Sequence, residues 1–311
     1  MGRILVTSPM LDEGLAPLAG HDLLPWDRQV PMEVAVAGCD AILCLLTDQI
    51  TAAVIASGVP GLRVIANVAV GYDNVDVAAA ISHGVAVTNT PGLLDETTAD
   101  TAFALILAAC RRTTEAEAVL RNSGWTGWAL DGFLGVDVHD AVLGLVGYGR
   151  IARAVERRAL GFGMHVRHHA RRPTGEPGYA GSLDELLATA DVVSLHVPLT
   201  PETRHLINAA RLAAMKPTAV LVNTARGPVV DEIALALALV SGEIFAAGLD
   251  VYDGEPAVHR RLLAAPHLTL LPHIGSATRA TRVAMVELAA QNIAAVLAGQ
   301  PPITPVKPRE T

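Results

Sequence analysis

The segment Val142-Leu-Gly-Leu-Val-Gly147-Tyr148-Gly149-Arg150-Ile151-Ala152 passes from an apolar strand pattern through a glycine turn into a helix. Gly147 permits the tight turn. Gly149 has no Cβ, so a pyrophosphate can approach the backbone, and Ala152 is small enough for helix and strand to pack closely. A helix opening near Arg150 offers its first N–H groups and the positive end of its dipole to phosphate oxygens. The segment reads as a dinucleotide fingerprint, with Gly147, Tyr148, Gly149, Arg150 and Ile151 as its contacts.

The next strand, His165–His169, runs into Ala170-Arg171-Arg172. A site for unphosphorylated NAD places Asp or Glu about 20 residues after the fingerprint, on the ribose 2′-hydroxyl. Two guanidinium groups stand there instead. Arg grips a 2′-phosphate through charge-assisted, forked hydrogen bonds, whereas a carboxylate repels it. The expected cofactor is NADP(H), with NAD(H) as the alternative.

Outward from the fingerprint, short β-branched runs alternate with Ala/Leu-rich amphipathic stretches, the signature of βαβ units and parallel sheets. Before it, strands are expected at Arg3–Thr7, Ala41–Leu46, Arg63–Ala66 and Val85–Thr88, with helices beginning near Thr51 and Asp76. One long helix is expected from about Glu96 to Arg121, then a Gly-, Trp- and Asp-rich loop over Asn122–Val138. After it, strands are expected at Val142–Gly147, His165–His169, Asp191–His196, Ala219–Asn223, Ile244–Asp250 and Thr269–Leu271. Helices are expected at Arg150–Gly161, Leu183–Thr189, Ala209–Met215, Glu232–Ser241 and Arg279–Leu297. Pro301, Pro302, Pro305 and Pro308 prevent that last helix from continuing.

The 311 residues are 51% hydrophobic and 17% charged, the profile of a well-cored globular chain long enough for two domains. Aromatic residues are only 4%, so the core must be aliphatic. A net charge of −8 argues against general nucleic-acid binding, though not against a local basic pocket for one phosphate. Cys39, Cys44 and Cys110 form no metal or disulfide pattern, and no metal site is expected. The apolar run at the N-terminus reads as a first strand and not as a signal peptide. Stretches such as Ala102–Cys110 fall far below the ~18–20 residues that span a bilayer, so a cytoplasmic protein without membrane contact is expected.

Three later segments fall at carboxyl ends of expected strands, the edge where open α/β sheets bind ligands. They are Val222-Asn-Thr-Ala-Arg226-Gly227, Leu249-Asp250-Val-Tyr-Asp-Gly-Glu255-Pro256 and Leu271-Pro272-His273-Ile274-Gly275-Ser276-Ala277-Thr278. Arg226, Glu255 and His273 form a usable set. Arg holds a 2-oxo acid carboxylate by two parallel hydrogen bonds. A carbonyl oxygen gains charge as hydride reaches its carbon, and His titrates near the working pH and can supply the proton. A carboxylate on the other ring nitrogen fixes the tautomer and favours the charged form. Singly, each has an ordinary reading: a surface ion pair, a turn residue before Pro256, a capping histidine.

With these residues in view, the chain resembles the D-isomer-specific 2-hydroxyacid dehydrogenases along nearly its whole length. The likeness includes Val70-Gly71-Tyr-Asp-Asn-Val-Asp76, Thr88-Asn-Thr-Pro91, Thr97-Thr-Ala-Asp100, Gly147–Ala152 and His196-Val-Pro-Leu-Thr-Pro-Glu-Thr203, besides the three segments above. Ala152 departs from the usual third glycine, a change the position tolerates. The resemblance implies two Rossmann-like parallel-sheet domains. A flavodoxin-like substrate domain would cover 1–99 and 283–311, and an inserted dinucleotide-binding domain 100–282.

The resemblance also implies roles. Arg226 would clamp the substrate carboxylate, His273 would be the acid/base and Glu255 its partner. The Val70 and Gly71 backbones would add donors to the substrate. Asp250, Thr98, Thr224 and Ala225 would be nicotinamide neighbours. Val197, Pro198, Thr203, Gly275, Ala170, Arg171 and Arg172 would complete the cofactor contacts, with Arg226 and His273 also touching it. Within the family the similarity is to glyoxylate/hydroxypyruvate reductases, through Leu45-Leu-Thr-Asp48, Phe133-Leu-Gly-Val-Asp-Val138 and the Arg171-Arg172 end. The family is commonly dimeric through the segment after the first crossing helix, where Trp125, Trp128 and Phe133 either line the partner's active site or only pack the interface. The implied reaction is NADPH-dependent reduction of glyoxylate or hydroxypyruvate to glycolate or D-glycerate. The alternatives are another substrate (2-ketogluconate, phosphoglycerate or phosphite) and, from a different class, an NAD(H)-sensing co-repressor scaffold.

Overall fold

The computed structural model describes residues 1–307, so Pro308 lies outside the described residues. The chain divides into two compact units, Met1–Leu94 with the segment from Ser276 onward, and Asp95–Gly275.

The first unit begins with β1 (Arg3–Val6), β2 (Asp22–Pro25), α1 (Met32–Ala35), β3 (Ala41–Cys44), α2 (Ala52–Gly58), β4 (Val64–Asn67), α3 (Val77–Ser82) and β5 (Ala86–Thr88). Its five-stranded sheet runs β2-β1-β3-β4-β5 with every pairing parallel, the flavodoxin-like order. β3 and β4 are buried at every position, so both faces of the sheet are covered. Thr51 and Asp76 cap α2 and α3 by accepting the Val54 and Ala79 N–H groups.

The second unit opens with α4 (Asp95–Cys110) and α5 (Thr113–Arg121). It continues through β6 (Val142–Val146), α6 (Arg150–Gly161), β7 (His165–His169), α7 (Leu183–Thr189), β8 (Val192–Leu195) and α8 (Ala209–Ala213). β9 (Val220–Asn223), α9 (Glu232–Ser241), β10 (Ala246–Leu249), α10 (Arg260–Leu263) and β11 (Leu268–Leu270) complete it. Its six strands run β11-β10-β9-β8-β6-β7, all parallel, and a single His168–Tyr179 bridge prolongs the sheet beyond β7. The order reverses between β6 and β8, the crevice where such sheets take ligands. Two aliphatic clusters fill the unit. One is built on Leu186, Leu221, Leu235 and Leu249, the other on Leu105, Ile106, Leu143 and Val155. Finally α11 (Arg279–Leu297) returns the chain to the first unit, where it packs on β3 and β4. Its 19 residues have the length and hydropathy of a membrane span, but Met285, Val286, Ala289, Ala290 and Ile293 are buried as in an ordinary core helix.

One sequence expectation is corrected, and several short elements were not foreseen. The helix expected over 96–121 is two, because Arg112 adopts a left-handed backbone (φ 51°) that ends α4. α5, which buries no residue, follows it. The strand β2 was not foreseen: it is four residues long, ends in Pro25 and occupies the sheet edge, where proline is tolerated. A 3-10 turn over Asp12–Leu18 carries Pro17 inside it and also escaped the periodicity. So did the one-turn helices α1 and α10, too short to show a repeat.

Candidate active site

Three loops leave the carboxyl ends of β9, β10 and β11, and each carries one member of the expected set. After β9, the Asn223 side chain accepts from the Ala225 N–H at 2.9 Å and donates to the Arg226 carbonyl at 2.9 Å, folding the Thr224-Ala225-Arg226 turn over itself. Gly227 follows at a point of close approach. A Cβ there would stand 1.8 Å from the Tyr252 carbonyl carbon, so only glycine lets the Arg226 loop lie against the loop after β10.

The β10 loop presents Glu255. Its Oε1 accepts the Tyr252 N–H at 2.9 Å. Its Oε2 lies 2.7 Å from Nδ1 of His273. An ionised carboxylate can only accept, so Nδ1 carries the hydrogen and Nε2 is left for a substrate. The β11 loop is built around Asp250, which is 1% exposed. Asp250 accepts the Ile274 N–H at 2.7 Å and the Gly275 N–H at 2.8 Å, and its carbonyl accepts the His273 N–H at 2.9 Å. His273 itself has φ 53°, a left-handed backbone that a non-glycine residue keeps only where its surroundings impose it. The structure thus brings His273 and Glu255 into contact.

Burial pushes the Glu255 carboxyl up. The hydrogen bonds from His273 and the Tyr252 N–H, with the charges of His273 and Arg226, outweigh that and hold it below the usual carboxylate range. Asp250 is displaced the other way: burial raises it against its two N–H donors. So one carboxylate is kept ionised beside an imidazole, under the influence of a guanidinium.

The nucleotide residues lie on the same unit. Gly147 has φ +87°, and a Cβ on it would come within 2.5 Å of the His196 carbonyl oxygen and 3.0 Å of Val197. Gly149 is the N-cap of α6 and has no side-chain capping bond. A Cβ on Gly149 would meet nothing within 4 Å. An uncapped helix N-terminus facing open space fits a pyrophosphate. The buried Thr224 hydroxyl finds no partner among the described residues, which fits a polar group of a ligand at that edge. Thr98 is 6% exposed, 3.5 Å from where a Gly275 Cβ would stand.

Other expected contacts are occupied locally. The Tyr148 ring stacks on His168 at 3.6 Å and its hydroxyl donates to Glu156 at 2.6 Å, which leaves its backbone for a phosphate. Thr203 Oγ1 donates to the Pro198 carbonyl at 2.6 Å and closes the 198–203 turn. Arg150 pairs with Asp95 at 3.1 Å. Ala170 is half-buried, and Arg171 and Arg172 are exposed at the end of β7 with no carboxylate partner among the described residues. Ile151 is half-buried in the first turn of α6. In the first unit, Val70 and Gly71 sit half-buried in the loop after β4. No group of three or more metal-ligating side chains occurs among the described residues.

Sequence reasoning passed over Asn223, Tyr252 and Gly227, and gave Asp250 a cofactor role alone. An Asn at a strand end before a turn is a signal for the first. The packing need for Gly227 and the loop-holding bonds of Asp250 depend on segments far apart in the chain.

The model of the D-isomer specific 2-hydroxyacid dehydrogenase NAD-binding domain matches residues 103–275. The glyoxylate reductase of Thermococcus kodakarensis is 43% identical, over 97% of this chain and 95% of its own. A crystal structure of a Thermus thermophilus protein superposes with TM-score 0.92 at 46% identity, covering 98% of this chain and all of its own. The NADPH-dependent glyoxylate/hydroxypyruvate reductase of Sinorhizobium meliloti, solved with NADP and malonate, gives 0.90 at 34% identity, covering 100% and 99%. With its two parallel-sheet units and a glycine turn fit for a nicotinamide dinucleotide, this chain belongs to the D-isomer-specific 2-hydroxyacid dehydrogenases and is an NAD(P)-dependent oxidoreductase.

Proposed function

We propose that the protein reduces a small 2-oxo acid, glyoxylate or hydroxypyruvate, to glycolate or D-glycerate, with NADPH as the preferred donor. The observation that carries this reading is the 2.7 Å contact of His273 Nδ1 with Glu255, on a carboxylate that also feels the Arg226 charge. It is supported by the glyoxylate reductases that the chain resembles over most of its length.

In this reading the unit Asp95–Gly275 binds the nucleotide and the other unit serves the substrate. The first turn of α6 holds the pyrophosphate, and Arg171 and Arg172 hold a 2′-phosphate. Asp250, Thr98, Thr224 and Ala225 surround the nicotinamide, which when bound supplies a hydride. Arg226 forks onto the substrate carboxylate, and the Val70 and Gly71 N–H groups donate to it as well. His273 holds the proton on Nε2 and passes it to the carbonyl oxygen as charge develops there. Glu255, ionised, stabilises the imidazolium before the transfer and fixes its ring.

Steady-state kinetics on glyoxylate, hydroxypyruvate, pyruvate and 2-ketogluconate, each with NADH and NADPH, test the reading. The highest kcat/KM is expected for glyoxylate or hydroxypyruvate with NADPH. Preference for 2-ketogluconate, or for NADH, would replace that part of it.

We further propose a cytoplasmic homodimer joined through the segment after α5. Trp125, Trp128 and Leu130 are 60%, 81% and 83% exposed there, an apolar surface that a second copy would cover. Light scattering on the pure protein should return twice the chain mass.

A further inference from the structure

The loop after β4 is held by a set of bonds that the reaction does not explain. In a trans peptide the C=O of one residue and the N–H of the next point in opposite directions. The Ala69 carbonyl accepts the Thr90 backbone N–H at 2.9 Å, which turns the Val70 N–H the other way. The Val70 carbonyl accepts the Asn89 side-chain amide at 2.8 Å, which does the same for the Gly71 N–H. The Gly71 carbonyl accepts the Asn67 amide at 2.9 Å. Three consecutive carbonyls are therefore anchored, two of them by the neighbouring residues Asn89 and Thr90 just past β5. Among the described residues, neither the Val70 nor the Gly71 N–H has an acceptor.

The anchors are themselves fixed. Asn67 is 0% and Asn74 6% exposed. Asn67 donates to Asn74 at 3.1 Å, and Asn74 donates to the Leu45 and Asp48 carbonyls at 3.1 and 2.9 Å. Asp48 accepts from Thr7 at 2.6 Å and from the Leu45 N–H at 2.9 Å. On the other side, the Asn89 carbonyl accepts the Thr304 hydroxyl at 2.6 Å, and Thr304 is bonded to Asn292. A connected hydrogen-bond network built on buried asparagines holds its loop in one geometry.

We infer that Asn89, backed by Asn67, is a positioning residue for substrate recognition. By anchoring the Val70 carbonyl it aims the Gly71 N–H at the carboxylate of the oxo acid, beside the Val70 N–H that the Thr90 bond to the Ala69 carbonyl directs. This rests on the reading that those N–H groups bind that carboxylate. Neither asparagine touches the reacting atoms. Their effect is on affinity for the acid and not on hydride or proton transfer.

The test is kinetics on the full-length Asn89→Ala and Asn89→Asp variants with glyoxylate and NADPH, together with inhibition by oxamate, a non-reacting acid. Asn89→Ala is expected to raise the glyoxylate KM and the oxamate Ki about 10-fold, roughly the worth of one hydrogen bond, with kcat and the NADPH KM within about twofold. Asn89→Asp should exceed that, since a carboxylate cannot donate to Val70 and adds charge beside the anion. A purely structural role would lower the melting temperature without splitting KM from kcat. Unchanged Ki in both variants, or equal losses for acid and cofactor, overturns the inference. Gly71→Pro removes one of the two N–H groups outright and separates the two failures. A raised Ki there with Asn89→Ala at parent level overturns only the role of Asn89. Parent-level Ki in both overturns the carboxylate reading as well.

Discussion

Nδ1 of His273 stands 2.7 Å from one oxygen of Glu255, while the other oxygen takes the Tyr252 N–H. One oxygen of the carboxylate orients the ring, and the other ties the carboxylate to its own loop.

Removing either partner should therefore act on turnover more than on binding. His273→Ala is expected to lower kcat by about two to four orders of magnitude, the range for a positioned acid–base group. Glu255→Gln keeps the shape but removes the charge, and about two orders of magnitude should be lost. Single-turnover kinetics with NADPH check both. Near-parent kcat in His273→Ala would sink the assignment.

Arg171 and Arg172 are exposed at the end of β7, with no carboxylate partner among the described residues. The double change Arg171→Ala, Arg172→Ala should cost NADPH about 10- to 100-fold in kcat/KM, the worth of charge-assisted hydrogen bonds, and leave NADH nearly unaffected. An unaltered ratio of the two cofactors would place the 2′-phosphate elsewhere.

The two glycines of the turn should fail in different ways. At Gly149 a methyl group meets open space at an ordinary φ of −88°, so Gly149→Ala should melt like the parent yet bind the dinucleotide weakly. At Gly147 a methyl group meets the His196 carbonyl at 2.5 Å with φ +87°, so Gly147→Ala should lose stability as well. Calorimetry with and without NADPH distinguishes them. Parent affinity in Gly149→Ala would move the pyrophosphate off this turn.

Burial lowers His196 to about 4 from an ordinary 6.5. The folded state thus stays neutral where the unfolded chain takes up a proton, and stability falls on acidification. The contribution is complete above 6.5 and is lost as the pH drops towards about 4. Melting temperatures between those limits should fall, and the slope should be shallower in His196→Gln. The same slope in both would assign the acid sensitivity to other groups.

Much of this was readable in the chain. The glycine turn, the strands of the second unit and the Arg226, Glu255 and His273 loops all carry local signals: periodicity, turn residues, position at strand ends. What escaped depends on distance in sequence. The end of α4 is set by the backbone at Arg112, within a helical pattern that continues past it. β2 is four residues with a proline and shows no alternation. The anchoring of Val70 by Asn89 joins residues 19 apart, and Asp250 holds Ile274 over 24. Such bonds leave no periodic trace, and only folding reveals which asparagine or aspartate faces which backbone group.

Gly227 gives the site a gauge. The loop bearing the guanidinium and the loop bearing the carboxylate touch through main chain, with the space of one carbon atom left out between them. Main chain, unlike a side chain, cannot swing aside, so any larger residue at 227 would wedge the two loops apart and set the spacing of the Arg226 guanidinium and the Glu255 carboxylate anew. Drift at this position would alter chemistry without altering a single reactive group.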